Sequence, residues 1–77
     1  MLFKSAVEFR HYTILIYVWD NYPYLFRTQD LLEGFKLFVK KREIILAKHF
    51  LASASMKQFF NSFSFAYRFV FLKETIF

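Results

Sequence analysis

The chain opens with alternation. Phe3, Val7 and Phe9 fall on one side of an extended backbone, and Lys4, Glu8 and Arg10 on the other. That is the period-two pattern of a strand with one wet face. From Tyr12 to Trp19 the pattern turns uniformly apolar and β-branched, with Thr13, Ile14, Ile16 and Val18, which predicts that the same strand ends buried. The stretch from Asp20 to Tyr24 then forces a change of direction, because Asn and Asp tolerate turn geometry and Pro23 drives Tyr22 out of the α region.

A helical period begins at Thr28, read as an N-cap, with Asp30 and Glu33 near the positive end of the helix dipole and Lys40, Lys41, Arg42 and Lys48 further along. Steps of about 100° from Leu31 gather Leu31, Leu32, Phe35, Phe38, Val39, Ile45, Leu46 and Phe50 into one broad stripe. Leu37, Ile44 and Leu51 fall on the opposite side, between Glu33, Lys36, Lys40 and Lys48. Two apolar seams on one helix suit an element wedged between its own core and a partner; scattered exposed aliphatics are the plain alternative. Gly34, early in this helix, is read as room for the close approach of another backbone. Ser53 and Ser55 punctuate the helix, and the following residues continue it or start another turn.

The closing stretch places Phe63, Phe65, Tyr67, Phe69 and Phe71 at every second position. On a helix these rings would point all the way round; on a strand they share one face, opposite Ser62, Ser64, Ala66 and Arg68. The fold expected is therefore α+β: one long central helix flanked by apolar, strand-like N- and C-terminal arms. An all-α, extended subunit is the alternative.

Composition sharpens the picture. The 77 residues make one small domain, residues 1–77, yet 57% are hydrophobic and 25% aromatic. A chain of this size hides only about 60% of its unfolded surface when folded alone, so it is expected not to be autonomous and to share its apolar surplus with a partner. Leu37, Ile44, Leu51 and the rings at 63, 65, 67, 69 and 71 are the candidate partner interface. The ribbon of rings either pairs with the N-terminal arm or adds to a partner by strand addition.

Eleven Lys and Arg against six Asp and Glu give a net charge of +5, which favours polyanions such as RNA or an anionic membrane surface. Lys40, Lys41 and Arg42 form the one basic cluster, and Arg68 lies beside the rings; these four are the candidate polyanion contacts, with a solvated helix turn as the plain alternative for the cluster. No cysteine is present, which excludes disulfides and thiolate metal sites. Charges at Lys4, Glu8 and Arg10 break up a secretory leader, and the apolar run from Tyr12 to Trp19 is shorter than the ~20 residues of a membrane-spanning helix.

Catalytic signals are missing. His11 and His49 have no partners at ligand spacing, and no cofactor or metal site is expected. With one glycine, neither a phosphate-cradling loop nor a nucleophile elbow can be built. Rings beside Arg68 have the ingredients of a base-stacking platform, but the glycines and positive charge of such strands are absent. Residues with A- and T-rich codons, Phe above all at 13, point by association to an organelle genome. The expectation is a non-enzymatic accessory subunit of a larger, membrane-associated mitochondrial complex of the respiratory kind, held by other protein subunits near an anionic lipid surface. The alternatives are a small organellar ribosomal protein contacting rRNA and a membrane-interfacial peptide or small toxin.

Overall fold

In a computed structural model, which describes residues 2–59 and 74, every regular element of the described residues is a helix or a helical turn. The elements are α1 (Phe3–Glu8), α2 (Tyr12–Asn21), a 3₁₀ turn (Pro23–Leu25), α3 (Thr28–Lys40), α4 (Ile44–Ala52) and a second 3₁₀ turn (Ala54–Gln58). No strand occurs among the described residues, so the α+β expectation is overturned and the all-α alternative fits. The ring-bearing positions 63, 65, 67, 69 and 71, with Arg68, lie outside the described residues.

The N-terminal arm is two helices, and the reason is visible in the spacing. Phe3 and Val7 are two apart on a strand's count but also one helical turn apart, and Ala6 completes the turn; all three are buried. In α2, Tyr12, Leu15, Ile16 and Trp19 follow the i, i+3, i+4, i+7 spacing of a helix stripe. Leu15 and Trp19 are fully buried, and Tyr12 and Ile16 pack against the core. As the turn chemistry predicts, α2 stops at Asn21, Tyr22 leaves the helical region at φ −135°, and Pro23 opens the 3₁₀ turn.

The long central helix is likewise two helices. α1 and α3 both end in a left-handed residue, Arg10 and Arg42, each with φ 59°. The amide of His11 donates to the carbonyl of Ala6 and that of Arg10 to Val7; Glu43 donates to Phe38 and Arg42 to Val39. This paired pattern is the Schellman ending, in which the left-handed position is usually glycine. Arginine there sacrifices roughly 1 kcal/mol or more of backbone energy, and the sequence carries no glycine to announce either stop. The two endings also meet each other, through an Arg10–Glu43 ion pair at 3.2 Å.

α1 is too short to persist alone in water and is held at both ends by α3. The carboxylate of Asp30 accepts the amides of Phe3 and Lys4, the latter at 3.0 Å, while the ammonium of Lys41 donates to the carbonyls of Val7, at 3.1 Å, and Glu8. Orphan donors at one end and orphan acceptors at the other are thereby satisfied, with each charge opposite in sign to the dipole end it touches. Because Asp30 lies in the first turn of α3 and Lys41 follows its last, α1 and α3 run in the same direction. Asp30→Ala is expected to destabilise the protein by about 1–2 kcal/mol. Urea titration followed by the fluorescence of Trp19 would measure it, and an unchanged midpoint would refute the clasp.

The core is aromatic, with Phe3 at its hub. Its ring meets Trp19, Phe26, Phe35, Phe38 and Phe50 at centroid distances of 5.2 to 6.0 Å, all edge-on, the arrangement the ring quadrupole favours. Phe59 closes one side by stacking on Trp19, 5.6 Å away and nearly parallel to it. The indole N–H of Trp19 donates to the hydroxyl of Ser53, which donates in turn to the carbonyl of Phe50. Ser53 thus ends α4, as its place in the sequence suggested, and satisfies the one polar atom of the buried tryptophan.

Candidate interaction surfaces

Breaking the central helix changes the phase of everything after residue 40. Leu37 and Ile44 are half-buried against the core, and Leu51 is part of it, 6% exposed. The seam expected through these three does not line up on a single helix. Ile45 makes the opposite move: grouped by period with the inner stripe, it is 88% exposed.

Ile45 stands at the rim of a shallow groove of about 450 Å³, whose walls come from Ile16 of α2 and from Ile45, Leu46 and His49 of α4, with Glu43 at one end. His49 is exposed, its ring edge-on to Phe50 at 5.8 Å. On another face of α2, Ile14 and Tyr17, three residues apart, are more than half exposed. From Tyr17 a short chain of rings continues to Tyr22 at 6.2 Å and on to Tyr24 at 6.3 Å, with Leu25 exposed next to it. None of Ile14, Tyr17, Tyr22 or Tyr24 is among the interface candidates read from the sequence. Their signal was the full helical count across Tyr12–Asn21, which leaves Ile14 and Tyr17 on the face away from Leu15 and Trp19.

The basic cluster divides by role. Lys41 is occupied by the end of α1, and Arg42 is the exposed left-handed residue that closes α3. Lys40 points elsewhere, sharing a second groove with Lys4, Glu33, Lys36 and Leu37. Leu37 between Lys36 and Lys40 was visible in the sequence; the arrival of Lys4 from α1 was not.

Near the Arg10–Glu43 pair, the hydroxyl of Tyr12 is buried with no hydrogen-bond partner among the described residues. Its pKa is raised, first by burial and then by the Glu43 carboxylate, with Arg10 opposing. A raised acid pKa means that the folded state holds the proton more tightly than the unfolded chain, so this contribution is complete below pH 10 and is lost as pH rises through the folded pKa. Tyr12→Phe removes both the orphan hydroxyl and the titration. It is expected to be neutral or stabilising by up to about 1 kcal/mol at pH 7, and to lose less stability than the native protein above pH 10. Melting temperatures of the two proteins from pH 7 to 11 test this; parallel curves would refute it.

Among the described residues no three His, Asp or Glu side chains converge as metal ligands, and no helix is long and apolar enough to cross a membrane. No protein family, curated protein or solved structure matches the chain. The described residues therefore define a small, aromatic-cored helical fold with an aliphatic groove and a basic one on its surface.

Proposed function

We propose that the protein is a non-catalytic accessory subunit that joins a larger assembly by laying the outer surface of α2 and α4 against a protein partner. Ile45 carries this reading. A β-branched aliphatic side chain almost wholly in water contributes nothing to the fold, and single exposed apolar residues are common. Ile45 borders the groove lined by Ile16 and Leu46, and α2 with the turn after it exposes Tyr17, Tyr22 and Tyr24 besides; an apolar surplus of this kind marks an interaction surface. Tyrosine is enriched at interfaces because it offers a large rigid face and a polar tip. The net charge of +5 supports a setting beside anionic lipid headgroups, and the Phe-rich composition supports an organellar one.

Ile45→Asp tests the reading. The position is solvent-facing, so folding stability should change by less than about 0.5 kcal/mol. A charge at the centre of a protein interface should weaken association by about 2 kcal/mol or more. Native purification of the tagged protein is expected to bring down a reproducible set of subunits, and the Ile45→Asp protein to lose them. Retention of the same subunits by the variant, or a native protein that stays alone as a soluble monomer, would end the proposal.

A further inference from the structure

The second groove, of about 260 Å³, lies where α1 passes α3 and is lined by Lys4 of α1 and by Glu33, Lys36, Leu37 and Lys40 of α3. We propose that it is a docking site for an acidic protein segment, which sets one apolar side chain on Leu37 and its carboxylates against the three lysines. This goes beyond the accessory-subunit reading, since it names a separate surface and the chemistry of what it takes.

Charge is the first argument. Lys4, Lys36 and Lys40 are exposed, and no ion pair among the described residues neutralises them. The carboxylate facing them is Glu33, which accepts a hydrogen bond from the Gln29 amide at 3.4 Å. Asp30, one turn before Gly34, is turned toward the amides of α1. Three ammonium groups thus face one carboxylate, leaving a local excess of positive charge that steers and orients an acidic partner.

Shape is the second. The groove is smaller than the roughly 300–1,000 Å³ of sites that enclose small molecules, and suits a single large side chain. Its apolar member, Leu37, is half-buried against the core. Lipid surfaces are met by apolar side chains that protrude and insert, and single-stranded nucleic acid by rings on which bases stack; neither lines this groove. An apolar side chain between Lys36 and Lys40, one helical turn apart, matches an anchor residue flanked by acidic ones, the pattern of a helix laid in a groove.

The experiment uses the full chain and a short fluorescein-labelled peptide with one Phe inside a run of Asp and Glu. Fluorescence anisotropy is expected to show saturable binding that weakens about tenfold in the K36E/K40E protein, weakens less in K36Q/K40Q, and falls about tenfold when the peptide's Phe is replaced by Ala. Circular dichroism checks that both variants remain helical. Ile45→Asp should leave peptide binding unchanged, so failure of the aliphatic interface and failure of this groove are read separately. The proposal is overturned by absence of binding, by binding indifferent to the lysines, or by equal binding of the Phe→Ala peptide, which would be simple ion exchange. Preferential capture of poly(U) or of phosphatidylglycerol vesicles through the same lysines would overturn it too, in favour of a nucleic acid or a lipid surface.

Discussion

Phe3→Ala should destabilise the protein by about 3–5 kcal/mol, the usual loss for deleting a fully buried ring. Small proteins hold only about 0.05–0.15 kcal/mol of stability per residue, so the loss would take a large share of the total. The magnitude follows from position. Phe3 is fully buried, and five other rings are edge-on to it. Removing it leaves a cavity walled by elements from α2 to α4, which cannot all collapse inward together. It also loosens α1, which then rests on buried Ala6 and Val7 and on the Asp30 and Lys41 contacts at its two ends. Urea unfolding of the full chain, followed by Trp19 fluorescence and circular dichroism, measures the loss. A shift of less than about 1 kcal/mol would mean that residue 3 does not occupy the centre of the core, since even mild core truncations reach that size.

Gly34→Ala should also destabilise, against the expectation from helix propensity. In an exposed helix interior this exchange gains about 1 kcal/mol. Here a Cβ on residue 34 would lie 2.6 Å from Cε1 of Phe3 and closer still to Cδ1. The obstacle is the body of a buried ring fixed by its neighbours, which has nowhere to swing. Overpacking of this kind costs about 1–3 kcal/mol, enough to reverse the propensity gain. Gly34→Ala combined with Phe3→Leu should be less harmful than the two single losses added together, because the smaller, flexible side chain relieves the clash. Net stabilisation by Gly34→Ala alone would show that the ring does not press on this helix.

These two residues also show why the fold was only partly legible. The glycine was read as a place for close approach, and it is one, although what approaches is the ring of Phe3 and not a backbone. Phe3 and Val7 fit a strand and a helix equally well, since four residues are two strand repeats and one helical turn; Ala6 separates the two cases but is too small to weigh in a count of large apolar residues. β-branched Thr13, Ile14, Ile16 and Val18 favour strands by propensity, and burial of Leu15 and Trp19 along a helical stripe outweighs that preference. At residue 42 no residue type signals a stop. The helix ends there because Arg42 accepts a left-handed backbone, and the contact between Arg10 and Glu43 ties that ending to its neighbour.

The interaction surfaces depended on the same break. Running the helix from Thr28 through Leu51 placed Ile45 inside and Leu51 outside, whereas restarting it at Ile44 reverses both. The residues between α3 and α4 shift the angular phase enough to exchange these two positions, while Phe50 stays in the core.

By itself, the amino-acid sequence determined the stock of rings, the absence of cysteine, the basic excess, the turn at Pro23 and the amphipathic run that became α3. All of these follow from composition or from contacts within a few residues. Tertiary structure alone decided that the N-terminal arm is helical, that Phe3 sits over Gly34, that Asp30 and Lys41 hold the ends of α1, and that Lys4 joins Lys36 and Lys40 around Leu37. Each of those depends on side chains brought together from distant parts of the chain, and a local pattern carries no record of which distant neighbour will supply the missing hydrogen bond or fill the space.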